Sequence, residues 1–198
     1  ALEFWYRPEA GVTISSGKVT NWTDQIKAYN ATPQTPANGP AYNATGSNMV
    51  NFNPSITFTN ATRQDALQAS GLPAIPTGVS SFTILKPTDA SSRWFFHWGV
   101  SGAGYYKNYG VCGANSPGVW TNSHGGCVNN PTTFGPITTP SFVSSRWSST
   151  AGVNQWQMRL NGQLHSGTTS STNLNVPSNT TLEFGDVNNR TAGNEYVG

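Results

Sequence analysis

The residues able to do acid–base work are few. The chain has eight carboxylates: Glu3, Glu9, Asp24, Asp65, Asp89, Glu183, Asp186 and Glu195. Cleaving a glycosidic bond takes two carboxyl groups roughly 5–9.5 Å apart. On a strand that requires positions i and i+2 or i+4, because alternate side chains share a face. No two of the eight have that spacing within one extended segment, and Glu183 and Asp186 should point to opposite faces. The histidines His97, His124 and His165 sit in three separate segments. They give no local motif for an eliminating enzyme, which would need a Tyr/His/Arg/Asn cluster. The G-x-S-x-G elbow of a serine hydrolase is absent. An enzyme is therefore the last of the functional classes to expect.

Recognition is better supplied than reaction. Sugar rings stack on aromatic faces while amides, guanidinium groups and carboxylates bond the hydroxyls. Residues 94–122 concentrate those types in Trp94, Trp98, Tyr105, Tyr106, Tyr109, Trp120 and Asn122. The glycine-rich run 99–104 lies among them. The competing reading is that many of these rings fill a core, since Trp and Phe are mostly buried. The expected sugar-binding set is Trp94, Trp98, Tyr105, Tyr106, Trp120 and Asn122.

Such residues need a scaffold, and the composition specifies its class. The 198 residues include 21 Gly and 13 Pro, are 12% aromatic and only 9% charged, with a net charge of +2. A disordered chain would be poor in aromatics and high in net charge. A nucleic-acid binder would cluster Lys and Arg, and here they are scattered. No apolar run approaches the roughly 18 residues of a membrane-spanning helix. Thr, Val, Phe, Tyr and Trp suit a pleated surface, and Ser, Asn, Gly and Pro supply turns. Strands are expected at 2–7, 12–14, 18–22, 49–52, 55–59, 81–86, 93–98, 155–160, 163–166 and 182–185. Residues 30–48 read as an ordered loop. One helical patch is expected at 62–70, with Thr62 as cap, Asp65 three residues on, and Gly71 as stop. The clearest signal is Asn161-Gly162 between alternating segments, a two-residue hairpin turn. It should send Trp156, Met158 and Leu160 to the core and Gln155, Gln157 and Arg159 outward. Roughly ten to thirteen strands at this spacing predict an all-β fold. The expected architecture is one two-sheet antiparallel β-sandwich of jelly-roll type spanning residues 1–198, with at most one or two short helices.

Cys112 and Cys127 flank a turn-rich segment. An even count in a hydroxyl-rich chain suits a disulfide in an oxidising compartment, the alternative being two buried thiols. The start, Ala1-Leu2-Glu3-Phe4, lacks the features of a signal peptide. Six Asn-x-Ser/Thr sequons, at Asn21, Asn30, Asn43, Asn60, Asn179 and Asn189, would matter only in a glycosylating host.

Several segments carry a family resemblance. They are Phe4-Trp5-Tyr6-Arg7-Pro8-Glu9-Ala10-Gly11-Val12, Gly17-Lys18-Val19-Thr20-Asn21-Trp22-Thr23-Asp24-Gln25, and Asn30-Ala31-Thr32. Ser81 to Pro87, Trp156 to Leu164 and Leu182-Glu183-Phe184-Gly185 follow in order. Together they resemble the concanavalin A-like lectin/glucanase (LamG-like) jelly rolls of bacterial surface proteins. The resemblance implies an extracellular or cell-surface module that binds without catalysis, a carbohydrate-binding or adhesive part of a larger protein. Its partners would be a glycan or a neighbouring protein, with no nucleic acid and no transmembrane segment. The E-x-D-x-x-E signature of the family's glucanases is missing. Many such sandwiches hold structural calcium, for which Asp24 and Asp186 are the candidates, against the commoner use of Asp as a turn cap. The family usually continues with a further strand where this sequence reaches Tyr196-Val197-Gly198. That implies an open sheet edge and an alternative role as a structural or filament-forming domain that accepts a donated strand.

Overall fold

The computed structural model describes residues 2–59, 65–74, 78–86, 94–100, 104–111, 117–121, 139–148, 156–167 and 176–185. Along them run β1 (Val12–Ser15), β2 (Lys18–Thr23), β3 (Asn30–Pro33), a 3-10 turn (Pro36–Asn38), β4 (Ala41–Asn43) and β5 (Ser55–Thr57). There follow β6 (Leu67–Leu72), β7 (Gly78–Leu85), β8 (Trp94–Val100), β9 (Gly104–Val111) and β10 (Pro117–Thr121). The last are β11 (Ser141–Ser148), β12 (Trp156–Leu160), β13 (Gln163–Gly167) and β14 (Thr180–Phe184). They build two antiparallel sheets, as the sequence predicts for a β-sandwich. The large one has the order β10-β9-β8-β14-β6-β3-β2-β4-β5, with β1 also on β2, and the small one β13-β12-β11-β7.

Local turn chemistry sets two registers. Ser16 and Gly17 both take positive φ, as do Asn161 and Gly162. That backbone twist matches flanking strands and closes two-residue hairpins, pairing Ser15 with Lys18 and Leu160 with Gln163. Asn161 also docks its hairpin on β11: its Oδ1 accepts the Phe142 N–H and its own N–H donates to the Phe142 carbonyl, both at 2.9 Å. Within β12 Met158 is buried and Arg159 exposed, as alternation requires.

Four expectations need correction. The patch 62–70 is not a helix across its described part. Residues 67–72 form β6, which bonds β14 on one side and β3 on the other. Leu67, Ala69 and Leu72 are buried while Ser70 is exposed, so two sheet neighbours outweigh the helix propensity of Ala, Leu and Gln. Asp65, read as a helix residue, accepts bonds from the Thr59 N–H and hydroxyl instead. The stretch 30–48 contains β3, the 3-10 turn and β4. Residues 49–52 form no strand, only a single bridge from Val50 to Asn53.

Residues 2–7, expected as a strand, are an irregular strap with one bridge, Arg7 to Ala10. Its side chains alternate even so. Phe4 packs on Phe96 and Trp98 at ring centroid distances of 6.0 and 5.1 Å, and Tyr6 on Trp22 and Phe184 at 5.2 and 4.9 Å. Its polar backbone is satisfied by side chains of the body. The Trp22 indole donates to the Arg7 carbonyl at 2.9 Å and the Tyr42 hydroxyl to the Pro8 carbonyl at 3.0 Å. The Asp24 carboxylate accepts the Trp5 N–H.

One buried cluster joins the sheets: Phe96, Trp98, Leu182, Phe184, Leu67 and Ala69 from the large sheet with Leu85, Val143 and Met158 from the small. Cys112 and Cys127, and the residues 186–198 that bear on the expected open edge, lie outside the described residues. β14, the last described strand, is paired on both sides.

Two outcomes follow. Gly185 has φ +81, and a Cβ there would meet Phe58 ring carbons at 2.2–2.8 Å. Gly185→Ala should lower stability by about 3 kcal/mol in urea unfolding, from strain and overpacking together. Burial, then the charge of Asp24, then Tyr29, hold the Tyr6 hydroxyl well above its usual pKa of 10.0. The folded state therefore keeps this proton longer than the unfolded chain does. The stability it contributes is complete below about pH 10 and declines as pH rises further. Urea midpoints should fall more steeply above that pH for the wild type than for Tyr6→Phe.

Candidate functional site

The residues expected to bind sugar lie on three neighbouring strands. Trp94 and Trp98 are on β8, Tyr105 and Tyr106 on β9 and Trp120 on β10, with Trp98 opposite Tyr106 and Trp120 opposite Lys107. Asn122 and the second calcium candidate, Asp186, lie outside the described residues. Trp98 is corrected outright. It is 3% exposed, edge-on to Phe4 and part of the core, because even-numbered positions of β8 share the face that carries Phe96. A ring so covered cannot stack on a saccharide.

Asp24, the first calcium candidate, ties two segments together. One carboxylate oxygen accepts the Trp5 N–H and the other the Lys27 N–H. This fixes the turn after β2 to the strap. Among the described residues no three His, Cys, Asp or Glu side chains gather in one place.

The large sheet carries a polar row on the face opposite its core. Gln68 on β6, Glu183 on β14 and His97 on β8 are register partners. The Gln68 amide donates to Glu183 Oε1 at 2.7 Å, and His97 Nδ1 lies 3.2 Å from Glu183 Oε2. The carboxylate can only accept, so the imidazole is the donor. His97 is 2% and Glu183 3% exposed. The row is a buried hydrogen-bonded network holding three central strands in register.

The small sheet has the opposite character. Its inward positions on β7 and β11 include Ser81, Thr83, Ser141 and Ser145, and the Ser81 and Ser145 hydroxyls bond at 2.8 Å. Its outward positions carry Phe82 at 70% exposure, Ile84 at 64% and Phe142 at 45%. The alternation runs against hydrophobicity, with hydroxyls inside and rings outside. Turning either strand over would bury those rings, each worth about 1.5–3 kcal/mol. Val79, Leu85 and Val143 hold the observed register by pointing inward. The Phe82 and Phe142 rings lie nearly parallel, 15° between planes and 6.3 Å between centroids. Ser144 stands between Phe142 and Arg146 along β11, and between Phe82 and Arg159 across the sheet. Arg146 and Arg159 are exposed, and Arg159 Nη1 donates to the Gly162 carbonyl at 3.1 Å. The result is a flat aromatic patch beside hydroxyl, amide (Gln157) and guanidinium groups. The sequence reading passed over it: segment 81–86 is legible as a strand, but its apolar residues suggest a core face.

No protein-family model matches this chain, and no curated protein sequence does. Among solved structures it is similar to domain 4 of AbnA, a GH43 extracellular arabinanase from Geobacillus stearothermophilus, in complex with arabinotriose. The TM-score is 0.58 at 15% identity, over 89% of this chain and 82% of that one. The shared property is the β-sandwich fold.

Removing the centre of the buried row tests its structural role. Glu183→Ala strands the Gln68 amide and the His97 ring and should lower stability by about 2–3 kcal/mol. Glu183→Gln, which keeps an acceptor, should lose much less. Equal losses in chemical denaturation would show that the carboxylate's bonds are not what matters.

Proposed function

We propose that this protein is a non-catalytic carbohydrate-binding module of an extracellular or cell-surface protein, and that it binds glycans on the outer face of the small sheet. The observation that carries the reading is the inverted alternation of β7 and β11. A fold that buries serines and leaves two stacked phenylalanines in water forgoes stability, and such local violations concentrate at functional sites. Parallel rings with polar neighbours on a rigid sheet suit the flat face of a sugar, and exposed apolar patches mark binding surfaces. The described strands of the small sheet carry no carboxylate, so the patch has groups to hold a glycan and none to cleave it. The fold shared with an arabinanase domain solved with arabinotriose supports the same class of ligand.

A second reading has one observation behind it. β7 is an edge strand eight residues long, with β11 as its partner among the described strands. A structural domain could add a neighbour's strand there.

Affinity electrophoresis against a panel of plant and bacterial polysaccharides separates the two. Phe82→Ala and Phe142→Ala should each weaken glycan binding about tenfold, the equivalent of one stacking contact. Phe52→Ala, at a 96% exposed ring outside the small sheet, should leave it unchanged. Binding to no glycan, with self-association lost in Phe82→Ala, would replace this reading with the structural one.

A further inference from the structure

The same face carries a charge pattern that narrows its ligand, an inference that rests on the glycan-binding reading. Around Ser144 the four neighbouring outward positions are two rings and two cations. Phe142 precedes it and Arg146 follows it on β11, while Phe82 and Arg159 flank it across the sheet. Strands lie about 4.8 Å apart, and next-but-one residues along a strand roughly 7 Å apart. Phe82 and Phe142 therefore take two adjacent points of a diamond centred on the Ser144 hydroxyl and Arg146 and Arg159 the other two, with Arg159 leaning toward its hairpin turn, where it bonds the Gly162 carbonyl. Exposed Lys86 follows β7 directly. No carboxylate balances these cations on the described strands of the small sheet, and Arg146 makes no ion pair among the described residues. Elsewhere Arg7 pairs with Glu9 and Lys27 with Glu3.

We propose that the small-sheet face binds a uronate-bearing polysaccharide, with a sugar ring on Phe82 and Phe142 and its carboxylate on Arg146, assisted by Arg159. A guanidinium fork matches a carboxylate in plane and in hydrogen-bond pattern. Two arginines beside one aromatic platform fit one carboxylate per sugar. A densely sulfated chain would call for a longer basic stripe, and the net charge of +2 is too small to supply one.

The test is calorimetric titration of the whole chain with polygalacturonate, its fully methyl-esterified form, heparin and neutral linear arabinan, at low and high salt. Polygalacturonate should bind at least tenfold more tightly than its ester, and raising the salt should remove most of that difference. Arg146→Gln should abolish the preference, weakening binding to polygalacturonate about tenfold more than binding to the ester. Phe82→Ala should weaken binding to both. Equal affinity for acid and ester, or an unchanged preference in Arg146→Gln, overturns the uronate assignment and leaves the glycan reading standing. Tighter binding to heparin overturns it in favour of a sulfated ligand. Binding to none of the four overturns both readings. Thermal melts of each variant, at positions exposed in the native state, separate loss of binding from loss of fold.

Discussion

Among the described strands, the apolar face of the large sheet is wider than the small sheet can cover. At about 4.8 Å per strand, the nine-strand path of the large sheet spans roughly 40 Å, against roughly 20 Å for four strands. Apolar surface left in water would weaken the fold. The strap at residues 2–7 closes part of the gap. Phe4 reaches β8, and Tyr6 reaches β2 and β14, so one short segment crosses three strands. A strand could not do this, because its ladder would need a neighbour running alongside. An irregular segment can, provided its backbone polar groups find partners. Trp22, Tyr42 and Asp24 supply them from side chains.

With the core closed, the two outer faces are left to differ. The large sheet's outer face carries a buried hydrogen-bonded row of Gln68, Glu183 and His97. Such a network fixes register, because a slip of one residue would strand all three groups. The small sheet's outer face leaves its rings and cations to solvent. A chain with 9% charged residues has little else with which to make strong contacts. Exposed Phe82 and Phe142 with Arg146 therefore join aromatic surface and charge on one sheet face.

Local segments of this fold were readable wherever a short-range rule decides the backbone. Asn161-Gly162 is such a case, since only a turn with two positive φ values joins those strands, and Ser16-Gly17 is another. The β-sandwich class followed from the density of turn signals between β-forming segments. Residues 67–70 show the limit. Ala, Leu and Gln favour a helix in isolation, and only the neighbours β3 and β14 make the stretch a strand. The strap shows it again, since its alternation is real but no ladder accompanies it.

The site residues divide the same way. Composition alone indicates a protein rich in rings and amides, because residue types do not depend on the fold. Which rings meet solvent does depend on it. Trp98 entered the core because its parity on β8 places it beside Phe96, and Phe82 left the core because Val79 and Leu85 claim the inner face of β7. Pattern fixes that side chains alternate. Only the packing of one sheet on another decides which of the two alternating sets is buried, since that choice depends on contacts between residues far apart in the chain.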